Sequence, residues 1–328
     1  ALAITSAFLS SILSNTTITL MLMPVALFLS DNIKLKIRFL LATAYGASIG
    51  GILTPIGTVP NLILLGFLED KELPVLTFGE WVFMMLPVVV IMLTIIPWLL
   101  SLGLKDESLE GIGEEKIPEL NKHQKRLYII VTILALVLIT NTFSKELLGF
   151  SLDETMVLLS FGILMFFPKI GFLVWDDTRS IPYEIIMLFG AGFSIATAFS
   201  STGLASDIAI KLSFISDIPL FWMFLFVAFF VAFSTEVTSN TALTSIVIPI
   251  FYEFAKDMPV EQGTILLMTA TVGASYAFML PIATPPNAIV MSSRVIPISE
   301  MVKVGFKANL IGIFIVTSVA YFLWGSML

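Results

Sequence analysis

The stretch Gly273-Ala-Ser-Tyr-Ala-Phe-Met-Leu-Pro-Ile-Ala-Thr-Pro-Pro-Asn287 lies in the middle of the apolar segment 264–293. Proline removes a backbone hydrogen-bond donor and clashes with the preceding helical turn. The stretch therefore predicts a helix that unwinds near its centre and then resumes. A similar stretch, Gly46-Ala-Ser-Ile-Gly-Gly-Ile-Leu-Thr-Pro-Ile-Gly-Thr-Val-Pro-Asn61, lies in the apolar segment 38–69. The chain is thus expected to contain two broken helices.

The composition indicates an all-α integral membrane protein. Of the 328 residues, 57% are hydrophobic and 12% are charged, whereas about a quarter of the residues in a soluble domain are charged. Several apolar segments reach roughly 18 residues, the length that a helix needs to cross a bilayer. Their apolar residues are continuous and do not alternate with polar residues, as they would in a strand of a β-barrel. The chain has no cysteine, which excludes disulfides and Cys-ligated metals. It also lacks the basic patch that would indicate a nucleic-acid partner.

Two pairs of apolar segments are too short to span a membrane. Segments 1–13 and 17–29 are joined by Ser14-Asn15-Thr16, and segments 218–236 and 242–255 are joined through Ser239-Asn240-Thr241. We expect each pair to form a re-entrant hairpin, over 1–29 and 218–255, whose polar tip is buried in protein or lines a cavity. The remaining apolar segments are 81–103, 126–143, 153–170, 181–202 and 306–327.

The same features occur twice in the same order, which predicts an internal repeat. Ser-Asn-Thr is found at 14–16 and 239–241, and Gly-Ala-Ser at 46–48 and 273–275. The spacing between the hairpin asparagine and the asparagine of the broken helix is 46 residues in the first copy (15 to 61) and 47 residues in the second (240 to 287). We assign 1–103, including the helix 81–103, to the first copy, 104–125 to a cytoplasmic connector and 126–328 to the second copy.

The two copies are predicted to be inverted with respect to each other. Five crossings lie between the hairpins, and an odd number places the hairpins on opposite sides of the membrane. The Lys and Arg residues divide unequally between the two sets of loops, and the richer set is assigned to the cytoplasm. The richer set is Lys34, Lys36, Arg38, Lys105, Lys116, Lys122, Lys125, Arg126, Lys169, Arg179, Arg294, Lys303 and Lys307, and the poorer set is Lys71, Lys145, Lys211 and Lys256. The C-terminus is then expected to lie outside. The protein is expected to be a multi-pass protein of the plasma membrane, in this case a bacterial or archaeal inner membrane.

The repeat also predicts that the first copy is incomplete. Three spanning segments precede Asn240 in the second copy and begin about 118 residues before it. Asn15 has 14 residues before it. The N-terminal part of the first repeat, roughly a hundred residues, is therefore expected to be missing, and this chain alone is expected to transport poorly.

The paired Ser-Asn-Thr tips, each followed by a Thr-Pro-Pro-Asn-like break, resemble the divalent-anion:sodium symporters over essentially the whole chain. The resemblance implies an inverted-repeat transporter in the lipid bilayer. It further implies coupling of Na⁺ to the uptake of a C4-type dicarboxylate (succinate, malate or fumarate) or citrate, by an elevator-type movement in a homodimer. Broken helices and polar tips at mid-membrane are by themselves the sequence pattern of a secondary transporter. One departure from the family pattern is Val59, where the second break has Pro285.

The resemblance also implies which residues form the sites. At least two Na⁺ sites are expected, one from Ser10, Ser14, Asn15 and a backbone carbonyl near Gly57, and one from Thr235, Thr238, Asn240 and a carbonyl near Ala283. The substrate carboxylates are expected to contact Ser14, Asn15, Thr16, Thr58, Ser239, Asn240, Thr241, Thr284 and Pro285.

No cationic side chain lies near either tip in the sequence. Burying an isolated carboxylate costs on the order of 20 kcal/mol in the idealised limit, and bound Na⁺ can offset this penalty. Sodium is therefore expected to bind first and to complete the anion site.

Glu236 allows two interpretations of the coupling ion, Na⁺ or H⁺. An ionisable residue inside an apolar segment indicates a functional role by default, and a titrating Glu236 would make the protein a proton-coupled transporter or a dicarboxylate exchanger of the same fold. The alternative for Glu236 is a structural carboxylate paired with a backbone N–H or a hydroxyl.

Taken alone, a Ser-Asn-Thr run indicates a helix N-cap or a turn, and Gly46 and Gly273 indicate close contacts between helices.

Two further classes of function are disfavoured. A membrane enzyme lacks an evident base, because the only histidine, His123, falls in the polar connector and the chain has neither cysteine nor a metal-ligand cluster. A channel is disfavoured because two hairpins that enter from opposite sides around a closed site favour alternating access.

Overall fold

The computed structural model describes residues 1–104, 121–148, 152–180, 183–212 and 218–327. These residues form α-helices joined by short connections, with no β-strand among them, as the composition predicted. The acidic stretch Asp106 to Glu119, which makes up most of the predicted connector 104–125, lies outside the described residues.

The α-helices are numbered in chain order. They are α1 (Leu2–Ser10), α2 (Asn15–Phe28), α3 (Ile33–Gly51), α4 (Val59–Asp70), α5 (Phe78–Ser101), α6 (Lys122–Leu148), α7 (Glu154–Leu164), α8 (Tyr183–Ser201), α9 (Leu204–Lys211), α10 (Leu220–Ser234), α11 (Asn240–Ala255), α12 (Val260–Ala274), α13 (Pro285–Ser292) and α14 (Ile298–Phe322). Two short 3₁₀ helices cover Trp175–Ser180 and Trp324–Ser326.

The four short apolar segments form two pairs of helices, α1 with α2 and α10 with α11. The longer members, α2 and α11, have 14 and 16 residues. At about 1.5 Å per residue, each helix is shorter than the ~30 Å of hydrocarbon in a bilayer. No helix of either pair is therefore long enough to cross the membrane alone.

Both proline-containing segments are interrupted where the sequence predicted. α3 ends at Gly51 and α4 begins at Val59, and α12 ends at Ala274 before α13 begins at Pro285. A proline occupies the first turn of α4 and of α13, where a backbone N–H has no helical partner to lose. The residues between the paired half-helices form turns and extended backbone.

Some helices differ from their predicted segments. α7 has only 11 residues and ends at Leu164, because Pro168 prevents the helix from continuing. The segment 181–202 continues through Gly203, whose φ of 76° lies in the left-handed region, into α9, and the chain bends there by 68°. α6 begins at Lys122, so His123 lies in its first turn and not in the connector.

Several helices have the length and hydropathy of membrane spans. Within the described ranges they are Phe78–Ser101, Lys122–Asn141 and Ile298–Ser326, and the bent pair Gly190–Ser201 with Leu204–Lys211 would add a fourth. The chain therefore has the helices of a multi-pass membrane protein.

The chain forms two compact units. Within the described ranges, the first unit draws on Ala1–Val75, Met84–Ile112 and Leu188–Leu328, and the second on Leu76–Phe83 and Gly113–Met187. In the second unit, Phe78, Leu138 and Val157 form a small hydrophobic core.

In the first unit, the helices of the two sequence copies pack against each other. α2 of the first hairpin contacts α13 of the second broken helix, and α11 of the second hairpin contacts α4 of the first. In this unit each pair of short helices therefore packs against the half-helix that follows the other break.

Glycines let the first hairpin approach the first broken helix closely. A Cβ added at Gly46 would lie 2.4 Å from the carbonyl oxygen of Ala3, and one added at Gly50 would lie 2.0 Å from that of Ala7. Both distances are well inside van der Waals contact, so only glycine fits at these positions of α3. The close-contact role of Gly46 is thus supported.

Candidate ion and substrate site

The two Ser-Asn-Thr tips begin helices. Ser14 is the N-cap residue of α2, and its hydroxyl accepts a hydrogen bond from the backbone N–H of Thr17 at 3.4 Å. Ser239 is the N-cap residue of α11. Asn15 and Asn240 are the first residues of these helices and are half-buried, whereas both serines are exposed. The tips therefore present polar side chains at two helix N-termini.

Each tip asparagine is bonded to a hydroxyl five residues earlier. Ser10 Oγ donates to Asn15 Oδ1 at 2.5 Å, and Thr235 Oγ1 donates to Asn240 Oδ1 at 2.6 Å. Ser10 is the last residue of α1, Thr235 is the C-cap residue of α10, and both are buried. The structure thus brings together two of the predicted cation ligands in each copy.

Thr238 is placed differently from the other predicted cation ligands. Its hydroxyl donates to the carbonyl oxygen of Ser234 at 2.8 Å, and its side chain is exposed. Thr238 therefore closes the turn at the end of α10, whereas Thr235 carries the contact with the tip asparagine.

The breaks place threonines at the start of the resumed helices. Thr58 and Thr284 are the N-cap residues of α4 and α13, with extended backbones and no capping bond from their side chains. The hydroxyl oxygen of Thr284 is buried and has no hydrogen-bond partner among the described residues. Gly57 and Ala283, whose carbonyls were predicted to bind cations, directly precede these threonines and are buried. Pro285, in contrast, is exposed.

The predicted site residues therefore divide between two kinds of helix end. The substrate candidates lie at the N-terminal ends of α2, α4, α11 and α13, where the positive end of the helix dipole favours an anion. Ser10 and Thr235 lie at the C-terminal ends of α1 and α10, where the negative end of the helix dipole favours a cation. The arrangement can bind both kinds of ion with uncharged groups.

Each hairpin tip is bonded to the break of its own copy. In the first copy, Thr54 Oγ1 donates a short hydrogen bond to the carbonyl oxygen of Ser11. In the second, the carboxylate of Glu236 accepts hydrogen bonds from the backbone N–H groups of Met279 at 2.9 Å and Leu280 at 2.8 Å. The tips and the breaks are thus held together by different groups in the two copies.

The Glu236 carboxylate is buried and surrounded by donors. Its third partner is Asn309 Nδ2 at 2.6 Å, and Asn309 Oδ1 in turn accepts from the backbone N–H of Phe278 at 3.2 Å. An ionised carboxylate only accepts hydrogen bonds, so three donors satisfy it in that form. This geometry matches the structural alternative for Glu236, a carboxylate paired with backbone N–H groups.

The predicted site residues do not include Thr19, Thr244, Tyr45 and Asn309, which are polar residues of this region. Thr19 and Thr244 donate to the carbonyl oxygens of the tip asparagines at 2.8 and 2.7 Å. Both follow those asparagines by four residues, so a residue-by-residue comparison of the two copies would have found them. Asn309 could have been found because it is an amide side chain inside an apolar spanning segment.

The paired short helices, the two broken helices and the apolar spans define a multi-pass α-helical membrane transporter. The citrate transporter family matches residues 1–273. An uncharacterized transporter of Haemophilus influenzae is 33% identical over 343 residues, which cover 97% of this chain and 71% of that protein. The sodium-dependent dicarboxylate transporter SdcS of Staphylococcus saprophyticus is 29% identical over 353 residues, covering 98% and 68%. The Na⁺/dicarboxylate cotransporter 3 of Rattus norvegicus is 30% identical over 329 residues, covering 85% of this chain and 54% of its own length.

The chain belongs to the citrate transporter family, and its sodium-dependent dicarboxylate relatives confirm the predicted place among the divalent-anion:sodium symporters. Membership of a transporter family also confirms that the chain is not an enzyme.

Proposed function

We propose that this chain carries the ion and substrate sites of a secondary active transporter that couples Na⁺ entry to the uptake of a C4-type dicarboxylate, such as succinate, malate or fumarate, or of citrate. One observation carries the proposal: the predicted substrate residues lie at the N-terminal ends of α2, α4, α11 and α13. Helix N-termini bind carboxylates through free N–H groups and the helix dipole. Four such ends suit a substrate with two or more carboxylates.

The proposed cation sites combine the C-terminal ends of α1 and α10 with the asparagines that begin α2 and α11. Ser10 with Asn15, and Thr235 with Asn240, supply hydroxyl and amide oxygens, and the carbonyls of Gly57 and Ala283 add backbone oxygens. Neutral oxygens of this kind suit a hard monovalent cation, and half-helix ends coordinate Na⁺ in other transporters of broken-helix architecture. At least two Na⁺ ions are therefore proposed.

Charge balance supports obligatory coupling. No Lys or Arg occurs in residues 1–29, 46–61, 218–255 or 273–293, the segments that form the hairpins and the breaks. A dianion bound there has no cationic side chain from these segments to offset its desolvation, so Na⁺ must supply the positive charge. We propose that Na⁺ binds before the substrate.

We propose that residues 1–103 and 126–328 belong to two inverted copies. The reciprocal packing of α2 on α13 and of α4 on α11 supports a twofold relationship between them. Because each tip is also bonded to its own break, the hairpins and broken helices are expected to move together. An elevator-type movement of this body, in a homodimer, is the proposed mechanism.

Two contacts support the proposed orientation. Arg38 Nη2 lies 2.8 Å from Glu300 Oε1, which joins the start of α3 to the start of α14. Trp324 Nε1 donates to the carbonyl oxygen of Met84 at 2.7 Å, which joins the end of α14 to the first part of α5. The lysine-rich starts of α3 and α14 therefore share one side, which we assign to the cytoplasm of a bacterial or archaeal cell. The C-terminus would lie outside.

Uptake of labelled succinate and citrate into vesicles that hold the full-length protein tests the coupling. We expect accumulation with an inward Na⁺ gradient and none when choline replaces Na⁺. Accumulation that follows a pH gradient without Na⁺ would favour the proton-coupled alternative, with Glu236 as the titrating group. Uptake that needs only internal dicarboxylate would favour exchange.

The movement can be tested by crosslinking, since the chain has no native cysteine. One cysteine is placed in a hairpin and one in the scaffold against which the hairpins are proposed to move, and the pair is joined with bifunctional reagents of different lengths. We expect short reagents to stop uptake and reduction or cleavage of the link to restore it. Full uptake by the linked protein would exclude an elevator movement of the hairpins.

A further inference from the structure

The asparagines that end the two broken motifs are buried at equivalent positions. Asn61 follows Pro60 in the first turn of α4, and Asn287 follows Pro286 in the first turn of α13. Both side chains are fully buried. None of the predicted site assignments uses them.

Both asparagines make the same two hydrogen bonds. Asn61 Nδ2 donates to the carbonyl oxygens of Gly51 at 3.1 Å and Thr54 at 2.9 Å. Asn287 Nδ2 donates to the carbonyl oxygens of Ala277 and Leu280, both at 3.0 Å. In each copy the acceptors lie ten and seven residues before the asparagine, so one amide group spans the whole break.

These bonds fix the turn that carries the predicted carbonyl ligand. The carbonyl oxygen of Thr54 also accepts from the backbone N–H of Gly57 at 3.2 Å. The carbonyl oxygen of Leu280 accepts from the N–H of Ala283 at the same distance. Each asparagine therefore holds the first residue of a tight turn whose last residue is Gly57 or Ala283.

The first of these asparagines also reaches the hairpin tip indirectly. Asn61 holds the carbonyl of Gly51, and a Cβ added at Gly51 would lie 2.8 Å from Asn15 Oδ1. Asn61 therefore fixes the backbone that lies directly against the side chain of Asn15, the tip asparagine. A shift of this backbone would move both the carbonyl ligand and its neighbour on the tip.

The remaining polar atom of each amide is an oxygen without a hydrogen-bond partner among the described residues. Carbonyl oxygens only accept hydrogen bonds, so the amino groups must face them and the Oδ1 atoms must point away. Asn61 Oδ1 and Asn287 Oδ1 are buried and have no hydrogen-bond partner within the described part of the chain. An unpaired buried acceptor is unfavourable, and its occurrence at the same place in both copies argues against an accident of packing.

We propose that Asn61 and Asn287 are positioning residues for the two cation sites, which hold each unwound segment in the shape that presents its carbonyl ligand to Na⁺. The proposal rests on the proposed sodium coupling. Asn61 serves the site at the first tip and Asn287 the site at the second. Their loss should weaken Na⁺ binding more than substrate binding at saturating Na⁺.

The test uses Asn61→Asp and Asn287→Asp in the full-length protein. Aspartate has nearly the same shape, but its protonated form donates only one hydrogen bond and its ionised form none, so at least one carbonyl of the break loses its partner. For each variant, succinate uptake is measured over a series of NaCl concentrations, with choline chloride keeping the ionic strength constant. We expect the half-saturating Na⁺ concentration to rise about tenfold, the equivalent of one lost buried hydrogen bond.

A control variant separates positioning from general destabilisation. Thr269→Val removes a buried hydroxyl that donates to the carbonyl oxygen of Ile265 within α12, at 2.8 Å. It should leave the half-saturating Na⁺ concentration unchanged. A merely structural role of the asparagines would lower the amount of active protein and the maximal rate without moving that concentration.

Each outcome decides between the possibilities. If the wild type shows Na⁺-dependent uptake and both aspartate variants keep its half-saturating Na⁺ concentration, the positioning role is wrong while the coupling stands. If the wild type takes up succinate without Na⁺, both the coupling and the positioning role are wrong. Should an aspartate variant fail to fold, Asn61→Ser and Asn287→Ser, which retain a single donor, must still raise the concentration for the proposal to survive.

Discussion

Tyr45 and Phe278, which lie in the first and the second broken helix, are joined by a buried hydrogen bond. The hydroxyl of Tyr45 in α3 donates to the carbonyl oxygen of Phe278 at 2.8 Å, and the two rings lie 5.0 Å apart between centroids. Phe278 lies in the second break, between Ser275 and the proline-rich turn that precedes α13. The first broken helix thus helps to satisfy the unpaired backbone of the second.

Tyr45→Phe tests this contact. The substitution removes the hydroxyl and leaves the carbonyl of Phe278 buried with one fewer donor, which costs about 1–3 kcal/mol. We expect a lower unfolding temperature in detergent and a lower uptake rate. Tyr276→Phe is the matched control, because the buried hydroxyl of Tyr276 has no hydrogen-bond partner among the described residues. If both variants behave alike, the Tyr45 bond does not matter.

Asn15→Ala and Asn240→Ala are each expected to abolish coupled uptake while leaving the fold intact. Each substitution removes an amide that lies at a helix N-terminus and accepts a hydroxyl bond from a predicted cation ligand. Labelled succinate uptake is measured alongside elution from a sizing column. Thr94→Ala, on the exposed face of α5, should transport normally. Wild-type uptake by either asparagine variant would contradict the assignment of that tip.

Glu236→Gln distinguishes a structural carboxylate from a titrating one. Glutamine places an amino group where the carboxylate accepts from three donors, so one backbone N–H loses its acceptor at a cost of about 1–3 kcal/mol. We expect weaker Na⁺-driven uptake with the same pH dependence as the wild type. A variant that transports at the wild-type rate but has lost a pH dependence present in the wild type would favour proton coupling.

Gly50→Ala is expected to separate the first hairpin from α3. The added methyl would lie 2.0 Å from the carbonyl oxygen of Ala7, a backbone atom that cannot move alone, and overpacking of this kind typically costs about 1–3 kcal/mol. Gly273→Ala should be milder, because its Cβ would lie 3.3 Å from the carbonyl oxygen of Ala228. Thermal unfolding in detergent compares the two variants.

Gly162→Ala provides the control for both substitutions. Gly162 lies in α7, and a Cβ there has no neighbour within 4 Å among the described residues. Since alanine favours a helix over glycine by about 0.5–1 kcal/mol, this variant should be neutral or slightly more stable. Equal losses of stability in all three variants would show that the effect arises from glycine replacement and not from the close contact at Gly50.

The elements whose signals are local in the chain were predicted well. Proline and the polar tripeptides act on their own backbone, so the ends of α1, α2, α10 and α11 and both breaks fall close to the predicted positions. The left-handed turn at Gly203 and the short α7 were missed. In both places a local proline or glycine signal is present, but it lies inside or beside an apolar segment long enough to predict a single span.

The sequence by itself determined that the chain is helical and spans a membrane, and that its tips and breaks occur in pairs, since hydrophobic length, proline and motif spacing are properties of the chain alone. It also indicated the family through the paired tips. Only the tertiary structure decided which groups meet. The partners Tyr45 and Phe278, and Glu236 and Asn309, are separated by 233 and 73 positions, and a buried polar atom accepts whichever donor the packing of helices brings to it. For the same reason, the role of Asn61 and Asn287 could not be derived from their motif: their hydrogen bonds depend on how the unwound backbone folds back beneath them.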